Sequence, residues 1–138
     1  MANMQSNMSV FPMRLLPGAE LKSSLLQFVK DKNLSAPFII TCCGSVSKAT
    51  LRFAKPEKIK TFDEHFEILS LSGTLSGERG HLHISLGDKD GKVIGGHVVG
   101  DLIINTTAEV VIGNCDQLNF TRDHDDTTGF PELKITEK

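Results

Sequence analysis

No stretch of this sequence approaches the roughly 20 apolar residues that a helix needs to cross a bilayer, so no membrane span is expected. The opening MANMQSNMSVFPMRLL lacks the uninterrupted apolar core of a secretory leader and carries only Arg14 as an early charge. Cysteine is scarce: Cys42, Cys43 and Cys115 cannot close a disulfide framework without a remainder, so reduced thiols in an intracellular compartment, cytoplasmic or nuclear, are expected. The N-x-Ser/Thr tripeptides at Asn7, Asn33, Asn105 and Asn119 are then chance matches. An excess of positive charge is also missing. With 15 Lys and Arg against 17 Asp and Glu, the net charge is -2 and the isoelectric point about 6.2. Such a chain has no global field to attract phosphate backbones, so a nucleic-acid role rests on a local patch or on a partner. Internal repeats, low-complexity segments, phosphate-cradling glycine loops and nucleophile elbows are absent.

What remains is an ordinary globular composition. The 138 residues are 39% hydrophobic and 23% charged, enough to bury a core and fitting one compact domain. Residues 1–8 are polar and aperiodic and are expected to form a flexible tail, with the domain over 9–138. Val10 to Leu16 reads as a strand. After Pro17 and Gly18, Leu21, Leu25, Phe28 and Val29 recur at helical spacing, which predicts one amphipathic helix ending near Asn33. FIITCCG, bounded by Gly44, reads as a buried strand, with SVSKATLRF returning beside it and Pro56 closing the unit. EKIKTFDEHF suits a connection or an exposed edge, and FEILSLSGTLSG a long strand. VIGGHVVGDLIINTTAEVVIG supplies one or two strands broken near Gly100 and Asp101. QLNFTR is a short strand, followed by a polar loop through DHDDTTGFPEL and a last strand around Leu133 to Thr136. The expected class is α+β, a mostly antiparallel sheet with one main helix near the N-terminus.

The chemistry concentrates in HLHISLG. Strand side chains alternate, so Leu82, Ile84 and Leu86 face a core while His81, His83 and Ser85 face away. The two imidazoles rise from Cα atoms about 6.6–6.8 Å apart, within reach of one metal ion. His97, past the DKDGK turn, is the candidate third donor, and its direction depends on hairpin parity. A two-residue Asp90-Gly91 turn sets His97 opposite Ile84 and away from the pair. An odd-residue loop, or a bulge at Gly95-Gly96, pairs it with His83 on the same side. Three imidazoles with an open position suit zinc, nickel, copper or iron, with zinc the first expectation among divalent transition metals. The plain alternative is a polar face whose rings donate to backbone or to a neighbouring subunit. Ser85 is a candidate hydrogen-bond support for the ligands.

Other candidates are weaker. Cys42-Cys43 lacks both C-x-x-C spacing and a helix N-terminus, and reads as buried strand residues. Asp123, Asp125 and Asp126 begin like a calcium loop, but Thr128 and Lys134 occupy the positions needing Gly and Glu. Asp88-Lys89-Asp90-Gly91 reads as a turn. Glu109, within an apolar strand pattern, is expected to face a cleft or to pair with Arg52, Arg79 or Arg122, the alternative being a solvated edge.

RLLPGAELKSSLLQFVK, GSVSKATLRF, FEILSLSGTLSG, GHLHISLGDKDGKVIGGHVVG, TTAEVVIG and NFTRDHDDTTGFPEL resemble, in order and spacing from about Arg14 to Leu133, the PPC domain, also called domain of unknown function 296. The resemblance implies a compact α+β domain with an antiparallel sheet, assembling as a homotrimer. In plants the domain follows an AT-hook, a basic arm with an Arg-Gly-Arg core that enters the minor groove. No such segment occurs here, so DNA binding is implied only by family association. The part this chain shares is implied to be a module for self-association and for recruiting other regulatory proteins. The family's histidine pattern maps onto His81, His83 and His97. Its R-x-x-D-x-x-T-G-F tail maps onto Arg122, Asp125, Thr128, Gly129 and Phe130, with Arg122 expected to pair with Asp125 or Glu109 near a subunit cleft. Two functional readings follow. The first is a homotrimeric partner-binding module, related to DNA or transcription, with a three-His metal site. The second is a small metal-dependent enzyme or ligand sensor in which Glu109 or Arg122 handles the ligand.

Overall fold

A computed structural model describes residues 4–55 and 57–138. In chain order the elements are β1 (Met8–Leu15), α1 (Leu21–Asp31), β2 (Pro37–Arg52), β3 (Ile59–Phe62), β4 (Phe66–Ser76), β5 (Arg79–Gly87), β6 (Val93–Cys115), β7 (Leu118–Asp125) and β8 (Phe130–Glu137). The helix forms where its apolar spacing places it, burying Leu21, Leu25 and Val29. The Glu20 carboxylate caps it, accepting the N–H groups of Lys22 (3.2 Å) and Ser23 (2.7 Å) that the first turn leaves unpaired. The same carboxylate accepts the Leu102 N–H at 3.0 Å, tying the helix start to β6. At the other end Asn33 turns to φ 52. Leu34 and Asn33 donate back to the carbonyls of Val29 (3.0 Å) and Lys30 (3.1 Å), a Schellman closure.

The sheet is antiparallel with order β1-β6-β5-β4-β2-β3, and β6 also pairs with β2. The strands β6, β5, β4 and β2 therefore close on themselves as a small barrel, an α+β arrangement with one helix. Fully buried Val46, Leu51, Leu75, Leu82, Leu86, Val98, Leu102 and Ile112 join the apolar face of α1 in one core. Each such side chain contributes about 1.5–3 kcal/mol relative to exposure.

Several strands are longer than the sequence suggested. FIITCCG and SVSKATLRF are one 16-residue strand, β2, rather than a strand and its return. Gly44 is a close-approach point instead of a turn: a Cβ there would lie 2.1 Å from the Thr107 carbonyl oxygen on β6. Register shifts at Gly44/Val46 and further along β2 bend the long strand around the barrel. Likewise β6 runs 23 residues through Gly100 and Asp101 without a break. Asp101 takes φ 52, and its carboxylate accepts the Thr50 hydroxyl at 3.1 Å. EKIKTFDEHF holds the edge strand β3. The expected loop through DHDDTTGFPEL contracts to a turn after Asp125, and β8 already begins at Phe130.

The β7-β8 ribbon docks through four hydrogen bonds, the first from Ser35 Oγ to the Leu118 carbonyl at 2.8 Å. Phe120 N–H donates to the Ser35 carbonyl at 2.8 Å, Ser76 Oγ donates to the Phe120 carbonyl at 2.9 Å, and Arg122 Nη2 donates to Thr74 Oγ1 at 2.7 Å. Within the expected N-terminal tail, residues 1–3 lie outside the described residues. Ser6 and Asn7 hydrogen-bond Gln117, and Met8 opens β1. Pro56, expected to close the β2 unit, also lies outside the described residues. Among the described residues no helix is long and apolar enough to cross a membrane.

Candidate metal centre

The hairpin between β5 and β6 has odd parity. Asp88 N–H donates to the Lys92 carbonyl at 2.8 Å and Gly91 N–H to the Asp88 carbonyl at 3.0 Å, enclosing a three-residue loop, Lys89-Asp90-Gly91. Gly91 takes φ 77, as a type I turn closed by a left-handed residue requires. The Asp88 carboxylate fixes this loop by accepting the N–H groups of Asp90 (2.9 Å) and Lys92 (2.8 Å). The register that follows pairs Gly87 with Val93 and His83 with His97. Gly95-Gly96 contains no bulge on this side, since Ser85 and Ile84 pair with those glycines in unbroken register. Their lack of side chains serves another purpose. A Cβ on Gly96 would lie 2.7 Å from the Arg52 carbonyl oxygen, and one on Gly95 2.8 Å from that of Ile84. The glycines let β6 pass closely between β5 and β2.

This register brings all three histidines onto the outer side of the barrel. Leu82, Ile84 and Leu86 are buried in the core while His81 and His83 are exposed. Ring centroids are separated by 5.1 Å (His81–His83), 5.5 Å (His81–His97) and 5.7 Å (His83–His97). One ring nitrogen from each lies within 4.8 Å of the others. His97 also pairs across its other edge with Arg52 on β2, so it is the most enclosed of the three. Its Nδ1 is buried and has no hydrogen-bond partner, which is costly unless a ligand completes it.

Burial, followed by the charges of Arg52, the two other imidazoles and Lys22, pushes the His97 pKa down to about 4. His81 is also held below the ordinary histidine range, first by burial, then by Arg122 and His83, with Glu132 pulling in the opposite direction. Both rings are therefore kept neutral, the form that coordinates a metal. Three imidazoles, one with an orphaned buried nitrogen, fit a divalent transition metal.

The cluster opens onto surface hollows. One, of about 420 Å³, is lined by Arg52, Arg79, His81, His97, Arg122 and Glu132, with Phe130 and Pro131 at its wall. A second, of about 300 Å³, exposes His81 and His83 beside Arg122, Glu132 and Leu133. Arg122 is set in place by its bond to Thr74, the residue directly opposite His81. It does not make the expected ion pair with Asp125 or Glu109. Ser85 is engaged by Ser70 at 2.5 Å. Glu109 lies twelve residues beyond His97 on β6, exposed, opposite Arg14 of β1 and Cys43 of β2, and is not brought to the histidines. Arg52, Arg79 and Glu132 were not singled out with the histidines, because only the pairing of distant strands and the docked ribbon brings them there. Of the adjacent cysteines, both expected to be buried, only Cys42 is; strand alternation turns Cys43 outward, where it is exposed. Burial and the neighbouring Cys43 push the Cys42 thiol up to about 12.

The sequence profile of the Plants and Prokaryotes Conserved (PCC) domain matches residues 2–116. This chain belongs to that family. A hypothetical protein from Salmonella enterica has the same fold as this PCC domain, with a TM-score of 0.96 at 36% identity over 99% of both chains. A metal-containing protein from Archaeoglobus fulgidus superposes with a TM-score of 0.83 at 28% identity, covering 97% of this chain and 99% of the other. In sequence, the PCC domain is 40% identical over 129 residues to the bifunctional protein GlmU of a Synechococcus strain, 94% of this chain but 21% of that protein. It is 31% identical over 106 residues to AT-hook motif nuclear-localized protein 8 of Arabidopsis thaliana, 70% of this chain and 27% of the relative. The chain thus spans only a quarter or so of the length of these curated relatives.

Proposed function

We propose that this PCC domain is a homotrimeric assembly and partner-binding module whose His81, His83 and His97 hold one divalent transition metal ion, zinc first. The unit comprises residues 9–138 with a short tail before it. The observation that carries the metal reading is the buried, unpartnered Nδ1 of His97, beside two imidazoles whose donors lie within 4.8 Å. Rotation of the side chains would be needed to bring donors at this spacing to the 2.0–2.1 Å bonds of zinc, and the metal-containing Archaeoglobus relative supports the assignment. Elemental analysis of untagged protein should return one metal per chain, lost in His97→Ala. Absence of stoichiometric metal from the native protein defeats the reading. Light scattering should give three times the chain mass, and a stable monomer at micromolar concentration defeats the assembly.

The link to DNA in this proposal is indirect and intracellular, cytoplasmic or nuclear as the host cell dictates. It rests on the AT-hook relatives and on other regulatory proteins as partners. With a net charge of -2 the chain offers no overall attraction to a phosphate backbone. Negligible mobility shift of duplex DNA at low salt is expected for the isolated protein; a tight, steeply salt-dependent shift would overturn this point.

The arginine-lined hollow beside the histidines favours a second reading, a small metal-dependent enzyme or ligand sensor. A bound metal would supply a Lewis acid there. Arg122, fixed against Thr74, would orient the ligand.

A further inference from the structure

The hollow of about 420 Å³ next to the histidine cluster has an unbalanced charge. Arg52, from the end of β2, Arg79, from the start of β5, and Arg122, from the middle of β7, line it together with one carboxylate, Glu132. Among the described residues the side-chain ion pairs are His124 with Asp126 and Lys134 with Asp123, so none of these arginines is paired. Arg122 spends one N–H on the Thr74 hydroxyl and retains the rest of its guanidinium fork. Arg52 and Arg122 are half-buried, where an unmatched guanidinium is disfavoured more than on an open surface. Three cations drawn from separate elements around a concave site, with one anion among them, form a receptor for negative charge. Guanidinium forks match carboxylate and phosphate oxygens in bidentate fashion. Phe130 and Pro131 give the hollow an apolar wall, which suits an organic anion better than a bare inorganic one.

We infer that this hollow binds a small organic anion carrying two or more negative charges, held by Arg52, Arg79 and Arg122 and presented to the histidine cluster. The ligand is of metabolite size, as the volume requires, and its charged end is a carboxylate or a phosphate. Glu132 accepts a hydroxyl or amino group and discriminates against ligands that place an anion there. The arginines supply this affinity whether or not a metal is bound. With a metal on His81, His83 and His97, the anion also offsets the dication's charge, so this part of the inference rests on the metal reading above.

The test is calorimetric titration of the full-length protein, metal-loaded and metal-free, with succinate and with glycerol 2-phosphate, against sodium chloride of matched ionic strength. One or both anions should bind saturably, one per chain, more tightly than chloride. The productive arm identifies the end group as carboxylate or phosphate. Arg79→Gln and Arg122→Gln should each weaken binding by about tenfold or more while leaving metal content unchanged. Arg79 makes no side-chain hydrogen bond among the described residues, so its variant keeps the test valid where loss of the Arg122–Thr74 bond disturbs folding. Lack of saturable binding by either anion, or binding indifferent to both substitutions, overturns the inference. Arginine-dependent binding to protein that takes up no metal sustains the anion site and refutes only the metal.

Discussion

Replacing Gly73 with alanine should damage the fold and the histidine site together. Gly73 sits on β4 at φ 135, a conformation L side chains rarely adopt, and an added Cβ would fall 1.9 Å from the His81 carbonyl oxygen. The His81 carbonyl carbon at 2.9 Å and Leu82 Cα at 3.0 Å close the same space. All three are backbone atoms, so no side-chain rotation relieves the clash. The unfavourable backbone conformation costs about 1–3 kcal/mol, and forced displacement of a packed strand a further 1–3 or so. The expected loss of about 2–6 kcal/mol is a large share of the roughly 5–15 kcal/mol that stabilises a domain. Gly129→Ala is the matched control. Gly129 has φ 79, with nothing within 4 Å of the added Cβ, so only the backbone cost of about 1–3 kcal/mol applies. Urea unfolding of both variants measures the difference, and a zinc competition assay reports whether β5 has shifted at His81. A Gly73→Ala protein no less stable than Gly129→Ala, with unchanged zinc affinity, would refute the reasoning.

Three further perturbations are independent of that one. In metal-free protein, His97 has a folded pKa of about 4 and an unfolded value near 6.5. Between those values the unfolded chain binds more protons, so stability is complete above about pH 6.5 and falls as the pH drops toward 4. His97→Ala should flatten that slope in urea midpoints, and an unchanged slope would locate its origin elsewhere. Glu20→Ala removes the acceptor for the N–H groups of Lys22, Ser23 and Leu102 and should cost about 1–2 kcal/mol in thermal unfolding, most of it recovered in Glu20→Gln. Asp88→Ala strips the loop of the carboxylate that holds Asp90 and Lys92. A loss near 1 kcal/mol is expected, accompanied by weaker zinc binding because the loop sets the register of His97; equal zinc affinity would show that the strands alone maintain it.

The helix was legible because its apolar spacing and its end at Asn33 agree locally. Alternation in HLHISLG gave the two faces of β5 correctly for the same reason. Gly44, Gly100 and Asp101 misled, because a glycine or aspartate that admits a neighbouring strand has the same local appearance as one that ends a strand. Which reading applies depends on Thr107 or Thr50 more than fifty residues away. The odd loop parity was a stated alternative, and the Asp88 side chain, whose bonds hold the loop, stands two residues before the turn dipeptide that suggested the even one. Arg122 reached the candidate site through its docked ribbon. Glu109 did not, because a long continuous β6 carries it far from His97, a separation that two shorter strands would have concealed.

That one strand also limits how the molecule can come apart. β6 is hydrogen-bonded in turn to β5, β2 and β1 and receives the cap of α1. His97 stands where two of those neighbours meet, so loosening any single partner leaves it held by another. His81 and His83 ride on β5, so the spacing of the imidazole trio lasts as long as β5 stays paired with β6.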